Sequence, residues 1–469
     1  MELPNPGWVE QDPQAIWHTT LNSAHKALVE TDLTAKDVTA IGITNQRETT
    51  LVWDRQTGEC VYNAIVWQDS RTAERCNEIR LEHLGDQSLS ALISEQTGLV
   101  IDPYFSGTKL SWILDNVPGV RQRAEAGELC FGTVDTYLIW RLTGGVEHKT
   151  DASNASRTLL FDINQQEWSQ TLLDYFAIPH SLMPEVCDSA DDFGTTDMDL
   201  FGAEIPICGV AGDQQAALIG QACFDAGQTK STYGTGCFVM ANTGSEKVSS
   251  DNGLLTTVAY RLQGEVTYAL EGSIFVAGVG VKWLRDQLGL ISDAAETETA
   301  FNNCHGDTGG VYFVPSFTGL GAPYWQAEAK GLLTGLTLDS NRDQVVTAML
   351  QAMAYQTEEL LRAMRDCGAP VAQLRVDGGM VVNDALCQFL ADILELSVLR
   401  PSDVETTARG AAVLAGLGCG LYASMQAAAD AWQLDRSFQP EMTAESRTAL
   451  LQGYEVAVSQ VLAAGNPHQ

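Results

Sequence analysis

Between Ser231 and Leu270 three strand-like stretches, Ser231–Asn242, Leu254–Tyr260 and Glu265–Leu270, follow one another with only short turns between them. A helical pattern comes next, at about Ser273–Asp286. From there helices alternate with single strands: Arg342–Arg365, the strand Gln373–Val376, Asp384–Leu394, and a helix that begins at Thr406. Strands joined by tight turns pair antiparallel, whereas strands separated by helices pair in parallel. A chain with this order is confined to an α/β architecture with a mixed sheet. The first half shows only the later, alternating part of the pattern. Asp12 and Pro13 open a helix whose apolar stripe is Ile16, Leu21, Ala24 and Leu28. A buried strand is expected at Val38–Thr44, and helices at Ser70–His83, Ser106–Asn116 and Val134–Leu142, the last closed by Gly144. A chain of 469 residues exceeds what one core can hold. The pattern restarts near residue 220, so two domains are expected, 1–220 and 221–469.

The charge removes several functions. A formal net charge of -33, spread along the chain, repels phosphate backbones and anionic bilayers, so neither a nucleic acid nor a membrane is an expected partner. Any nucleotide site must therefore supply its own donors and a metal ion. The 11 cysteines include no CxxC pair, and Cys208, Cys223 and Cys237 lie in apolar or glycine-rich runs. They read as reduced core thiols of a cytoplasmic protein, not as a disulfide framework or zinc site. The first residues, Met1 to Pro13, carry neither a basic region nor an apolar stretch of the secretory kind. A homo-oligomer is left open.

Four segments carry candidate chemistry. There is no GxxxxGK[ST], which excludes a P-loop kinase, and no protein-kinase loop. In Ser231-Thr-Tyr-Gly-Thr-Gly-Cys237, glycines at a turn let backbone N–H groups converge around Thr235, an arrangement suited to phosphate oxygens. A tight turn alone would use the same residues. Leu374-Arg-Val-Asp-Gly-Gly379 is a strand ending in two glycines before a helix with Asn383 in its first turn, as at nucleotide sites or at any close strand–helix junction. Ile207-Cys-Gly-Val-Ala-Gly-Asp-Gln-Gln215 delivers Asp213 at the end of a buried strand, either as a functional carboxylate or as a helix cap. In Asn45-Gln-Arg-Glu-Thr49, Arg47 and Glu48 combine a fork of donors with a pair of acceptors, which fits neighbouring hydroxyls or a plain surface ion pair. Trp67, Tyr104 and Phe238 are aromatic residues able to wall a carbon backbone or to fill a core.

Taken together and in this order, the segments resemble the glycerol kinases, a branch of the FGGY carbohydrate kinase family. The likeness runs from Pro6 to about Pro440. Tyr104-Phe-Ser-Gly-Thr-Lys-Leu-Ser-Trp112 and Gly331-Leu-Leu-Thr-Gly-Leu336 look like the family signatures. Ala211-Gly-Asp-Gln-Gln215 and Phe317-Thr-Gly-Leu-Gly-Ala-Pro-Tyr324 look specific to that branch. The resemblance implies two ribonuclease-H-like, actin-like ATPase domains around a cleft. It implies ATP-dependent phosphorylation of glycerol to glycerol 3-phosphate, with ATP and Mg²⁺ as cofactors. By carry-over, Asp213 is the catalytic base and reaches Mg²⁺ through water. Arg47, Glu48, Tyr104 and Gln214 bind glycerol hydroxyls, while Trp67 and Phe238 cover its carbons. Thr235, Gly278, Gly379 and Asn383 contact the nucleotide. A kinase for another polyol or ketose, such as xylulose or gluconate, and a non-catalytic pseudokinase are the alternatives.

Three features depart from the pattern. Lys282 stands where better-known members carry Gln. Asp199-Leu-Phe-Gly-Ala-Glu204 lacks the basic, glycine-rich loop that binds fructose 1,6-bisphosphate in some bacterial relatives, so no inhibition by that ligand is expected. The opening strand with Asp-x-Gly-Thr-Thr is missing, and Asp192-Phe-Gly-Thr-Thr196 follows a polar stretch in the wrong half of the domain. The expectation is a chain shortened at its start by three strands, roughly 25–35 residues, through a misplaced start codon at Met1. Such a form is expected to be inactive or nearly so, and less stable than one extended upstream.

Overall fold

In the computed structural model, which describes residues 1–326 and 328–464, the chain packs into two compact units. The first comprises Met1–Gly220 and two later segments, Thr256–Tyr268 and Thr407–Asp430. The second comprises Gln221–Leu255, Ala269–Thr406 and the chain from Ala431 onward. The first unit is discontinuous in sequence, two later stretches of chain returning to it after residue 220.

The first unit opens with α1 (Pro13–Glu30). Asp12 caps it by accepting the N–H of Gln14 at 2.9 Å, and Pro13 occupies the first turn, where no donor is needed. Strand β1 (Ile41–Asn45) starts three residues later than its apolar pattern suggests. Thr34 and Asp37 lock the preceding residues, Ala35–Asp37, into a 3₁₀ turn, the Thr34 N–H donating to Asp37 Oδ2 at 2.9 Å. There follow β2 (Leu51–Asp54), α2 (Ser106–Asn116), β3 (Leu129–Gly132), α3 (Val134–Leu142), β4 (Ile207–Gly212) and α4 (Asp213–Gly220). Strands β1 and β4 pair in parallel, with Val210 opposite Ile43 and Gly212 opposite Asn45; β2 and β3 pair antiparallel. Trp17, Ile43, Trp53, Tyr137, Trp140, Phe193 and Val210 form the core between them.

The helix expected at Ser70–His83 is confined to Ala73–Ile79, because the residues ahead of it are fixed by side-chain bonding. Buried Arg71 donates from Nε to Asp69 Oδ1 at 2.9 Å and from Nη2 to Glu10 Oε1 at 2.7 Å. Its guanidinium lies over the rings of Trp8 and Trp112, 3.9 and 4.6 Å from their centroids. The loop that carries Trp67 is thereby tied to the first residues of the chain.

The rest of the chain supplies β5 (Gln228–Tyr233), β6 (Cys237–Gly244), β7 (Leu255–Leu262), β8 (Glu265–Ile274), α5 (Gly278–Asp286), α6 (Arg342–Asp366), β9 (Gln373–Asp377), α7 (Asp384–Leu394), β10 (Val398–Pro401), α8 (Thr406–Gly418) and β11 (Leu434–Phe438). The sheet order is β7-β8-β6-β5-β9-β10-β11. Strand β5 pairs antiparallel with β6 and parallel with β9, and β9 pairs parallel with β10. The stretch expected as one strand, Ser231–Asn242, is in fact two, β5 and β6, folded back on each other where Gly234 and Gly236 let the chain turn. Strand β8 runs on to Ile274, so α5 begins at Gly278 and not at Ser273. Asn341 and Gln344 form a capping box at the head of α6, whose buried Val346, Met353, Leu360 and Leu361 pack with Val376, Leu390 and Tyr454.

Past their first residues β7 and α8 belong to the first unit, where α8 lies flush on β1, β4 and α4. A Cβ added to Gly410 would fall 1.8 Å from the Ala216 carbonyl oxygen, and one on Gly418 would fall 2.1 Å from that of Cys208. From the other side, a Cβ on Gly42 would meet the Ala411 carbonyl oxygen at 2.1 Å, and one on Gly209 the Ala415 nitrogen at 2.3 Å. Backbone rests on backbone, with no room for any side chain. Among the described residues no helix is long and apolar enough to cross a membrane.

Candidate active site

At the carboxyl ends of β1 and β4 the parallel register sets Asn45 beside Gly212, so the residues that follow each strand emerge side by side. Arg47 and Glu48 follow β1, and Asp213 follows β4. Arg47 is the hub. Its Nε lies 3.2 Å from Asp213 Oδ1 and 3.6 Å from Glu48 Oε1. Nη1 donates to Gln215 Oε1 at 3.2 Å, and Nη2 reaches the Tyr104 hydroxyl at 3.5 Å. Gly212 makes space for the Arg47 stem, since a Cβ there would sit 2.6 Å from Arg47 Cδ. Arg47 and Glu48 are 2% and 1% exposed, so this is no surface ion pair, whereas Asp213 keeps 35% of its side chain accessible. Asp213 Oδ1 also accepts the N–H of Gln214 at 2.8 Å, so the carboxylate is anchored by one oxygen at the head of α4.

Glu48 adopts a left-handed backbone conformation, φ 60°, which a side chain reaches only when its surroundings impose it. Two groups do so. Ser106 Oγ donates to the Glu48 carbonyl at 3.1 Å, and Arg157 Nε donates to Glu48 Oε1 at 2.7 Å. Tyr104 precedes α2, where the Lys109 ammonium donates to its carbonyl at 2.6 Å. Burial pulls the Lys109 pKa down to about 8, against the raising influence of Glu48 and two aspartates. Trp67 meets the Tyr104 ring edge to face, 5.6 Å between centroids. The result is a partly exposed cluster with donors from Arg47, acceptors from Glu48 and Asp213, and two aromatic rings at right angles. That combination can hold adjacent hydroxyl groups on a short carbon chain.

Of the residues singled out in sequence, the first unit brings Arg47, Glu48, Trp67, Tyr104, Asp213 and Gln214 into one region, Gln214 being buried in the first turn of α4. Phe238 lies in the second unit, half-buried on β6 opposite Thr232. The four residues expected to touch a nucleotide all belong to the second unit as well. Thr235 is exposed at the β5–β6 turn, and its carbonyl accepts the N–H groups of Ala277 and Val279 at 3.0 and 3.1 Å. The Gly278 N–H donates to the Gly234 carbonyl at 2.9 Å, so Gly278 contributes close approach and not a free donor. Gly378 has φ 90° and fits against the Tyr233 backbone, where a Cβ would come within 2.6 Å of the carbonyl oxygen. Beside it Gly379 faces open space. Asn383 is committed elsewhere: its Oδ1 caps α7 through the Leu386 N–H at 2.9 Å and its Nδ2 donates to Thr297 at 3.1 Å. The hairpin, the start of α5 and the Gly378–Gly379 turn thus form a backbone cradle with little side-chain bulk, suited to phosphates. Lys282 is exposed on α5.

Beneath the cradle Asp377 is almost completely buried, accepting from Gln221 Nε2 at 2.7 Å and Thr406 Oγ1 at 2.8 Å. Burial pushes its pKa up, while the charge of Lys230 pulls it down. Two further members of the first-unit cluster, Arg157 and Gln215, are not evident from sequence alone. Gln215 carries a signal, standing beside Asp213 and Gln214 in the same segment. Arg157 carries only a faint one, as a lone cation among small residues in Asn154-Ala-Ser-Arg-Thr158.

Residues 1–220 match the N-terminal domain, and residues 229–419 the C-terminal domain, of the FGGY family of carbohydrate kinases. The chain is 57% identical over 459 residues to glycerol kinase 1 of Pseudomonas aeruginosa, covering 98% of this chain and 92% of that protein. It is 54% identical over 460 residues to glycerol kinase 2 of Thermotoga maritima, with the same coverage. Among solved structures it is similar to Plasmodium falciparum glycerol kinase with ADP, with a TM-score of 0.91 at 37% identity, over 98% of this chain and 92% of that one. Gluconate kinase from Lactobacillus acidophilus shares the fold, with a TM-score of 0.86 at 19% identity, over 100% of this chain and 92% of that one.

Proposed function

The chain belongs to the FGGY family of carbohydrate kinases, and from that premise we propose that it phosphorylates glycerol to glycerol 3-phosphate at the expense of ATP. The observation that supports this substrate is the cluster at the ends of β1 and β4. Arg47 offers donors, Glu48 and Asp213 offer acceptors, and Trp67 with Tyr104 offers apolar faces. The relatives more than 50% identical over nearly the whole chain carry the name glycerol kinase.

In this reading Arg47 and Glu48 orient two hydroxyls, and Asp213, held by one oxygen, accepts the proton of the third as it becomes the nucleophile. ATP supplies the transferred phosphoryl group when bound. The chain's own part at that end is the low-bulk cradle of Thr235, Gly278 and Gly379. Asn383 would support it by fixing the head of α7, since its side chain is already bonded. Among the described residues no cluster of three or more Asp, Glu, His or Cys side chains could hold a metal ion unaided. An accessible carboxylate anchored through one oxygen suits a hydrated Mg²⁺ carried on nucleotide phosphates, with Asp213 as an outer ligand.

The test is ATP-dependent phosphorylation of a panel containing glycerol, xylulose and gluconate. Glycerol should exceed the others in kcat/KM by at least about a hundredfold, because a longer or charged substrate does not match the donor and acceptor spacing set by Arg47 and Glu48. Comparable turnover of the pentulose would overturn the assignment.

A further inference from the structure

Arg157 is among the largest fully buried side chains of the molecule, and it is charged. It follows the short helix Ala152–Ala155, which Asp151 caps through the N–H groups of Ser153 and Asn154. Its Nε donates to Glu48 Oε1 at 2.7 Å, across a separation of 109 residues. The guanidinium lies near two rings, 5.8 Å from the centroid of Tyr104 and 5.3 Å from that of Phe105. The next residue holds the same neighbourhood, since the Gly107 N–H donates to the Thr158 carbonyl at 2.7 Å. One short turn therefore fixes the carboxylate of Glu48, borders the ring of Tyr104 and secures the start of α2.

Burying a guanidinium with a carboxylate costs more in lost hydration than their attraction returns, so apolar residues of equal volume would serve stability at least as well. What the charged pair adds is direction. A guanidinium presents its donors in a rigid planar fork, and a carboxylate bonded to it cannot rotate freely. With Oε1 bonded to Arg157, the Glu48 carboxylate is held in one orientation.

We infer that Arg157 is a positioning residue for the polyol. It touches no substrate, and it acts by setting the orientation of the Glu48 carboxylate. The inference rests on the reading of the Arg47–Glu48–Asp213 cluster as a glycerol site. Its consequence is a dependence between two positions: the effect of Arg157 on glycerol binding passes through Glu48.

A double-mutant cycle on the full chain tests this, read by calorimetry with glycerol and separately with ATP. Arg157→Met should weaken glycerol binding at least thirtyfold and leave ATP binding within twofold. In an E48Q background the same change should alter the glycerol Kd by less than threefold. Arg157→Lys keeps the charge but loses the fork, and should weaken binding about fivefold, again only where Glu48 is intact. This second variant carries the cycle if Arg157→Met does not fold. A loss of equal size in both backgrounds, or none in either variant, overturns the inference and leaves the glycerol reading standing. If E48Q by itself leaves glycerol affinity unchanged, the glycerol reading falls and the inference falls with it.

Discussion

Replacing Arg47 by Met keeps the length of the side chain and removes the guanidinium, and the structure fixes which groups notice. Asp213 loses a contact of 3.2 Å, but with 35% of its side chain accessible it can be rewetted, so that pair counts for about 1 kcal/mol after screening. Glu48 keeps its 2.7 Å bond from Arg157 and loses only its second cation. Gln215 is fully buried. Its Oε1 loses the Arg47 donor while its Nε2 remains bonded to Thr257 and Val258, which orphans one acceptor at a cost of about 1–3 kcal/mol. The sum is about 2–4 kcal/mol of folding stability. In a unit of about 250 residues this lowers Tm by ~5–15 °C. The same variant should bind glycerol about a hundredfold more weakly, because a charge-assisted donor to hydroxyls is gone. Thermal unfolding followed through tryptophan fluorescence, together with glycerol calorimetry, reads both effects. A Tm within 2 °C of the parent and a glycerol Kd within threefold, both roughly at the error of such measurements, would refute the hub role.

Other expectations follow from separate features. Asp213→Asn keeps an oxygen for Arg47 and removes the proton acceptor; turnover should fall about 10²–10⁴-fold with glycerol Kd changed by less than about threefold, and unaltered turnover would show that another group takes the proton. Gly378→Ala places a Cβ 2.6 Å from the Tyr233 carbonyl at a φ of 90°, so the turn must shift; ATP affinity should fall at least about tenfold with glycerol affinity unaffected, and an equal loss of both would point to global damage. Glu359 is buried, accepts the Tyr324 hydroxyl at 2.7 Å, and has its pKa pushed up to about 7 by desolvation. Its folded state holds the proton more tightly than the unfolded state, so it makes stability fall as pH rises from about 4.5 to about 7, and the deficit persists above that. Glu359→Gln should therefore gain on the parent by roughly 3 kcal/mol between pH 4.5 and 8 in denaturant melts, and a constant difference across that window would contradict the assignment.

What is legible in the chain is whatever its neighbours in sequence determine. Helices α2, α3 and α7 have the expected bounds because apolar spacing and end residues act within one or two turns. The helix after Asp69 is shorter than its pattern suggests because Arg71 is pinned by Glu10, 61 residues away, and no local rule records that bond. The site divides along the same line. Arg47, Glu48 and Asp213 follow buried strands and announce themselves as charges where charges are costly. Arg157 and Gln215 reach their partners across 109 and 168 residues, the second through a register that exists only once β1 and β4 are paired. Asn383, flagged for a ligand, also has its side chain bonded at the head of its own helix and to Thr297.

The seam between α8 and the strands it covers, with two glycines on the helix and two on the strands, has a consequence for the nascent chain. Strands β1 and β4 have both been synthesised by residue 212, yet the helix that seals them arrives only with residues 407–418. At ~5–20 residues per second, translation leaves the first unit uncovered for roughly 10–40 s after its strands emerge. Through that interval the flat, glycine-lined face of the β1–β4 pair stands open to a chaperone. The amino-terminal unit must therefore finish folding after most of the carboxyl-terminal one has left the ribosome. A shortened chain ending before residue 407 should remain chaperone-bound, whereas supplying Thr407–Asp430 as a peptide in trans should release it.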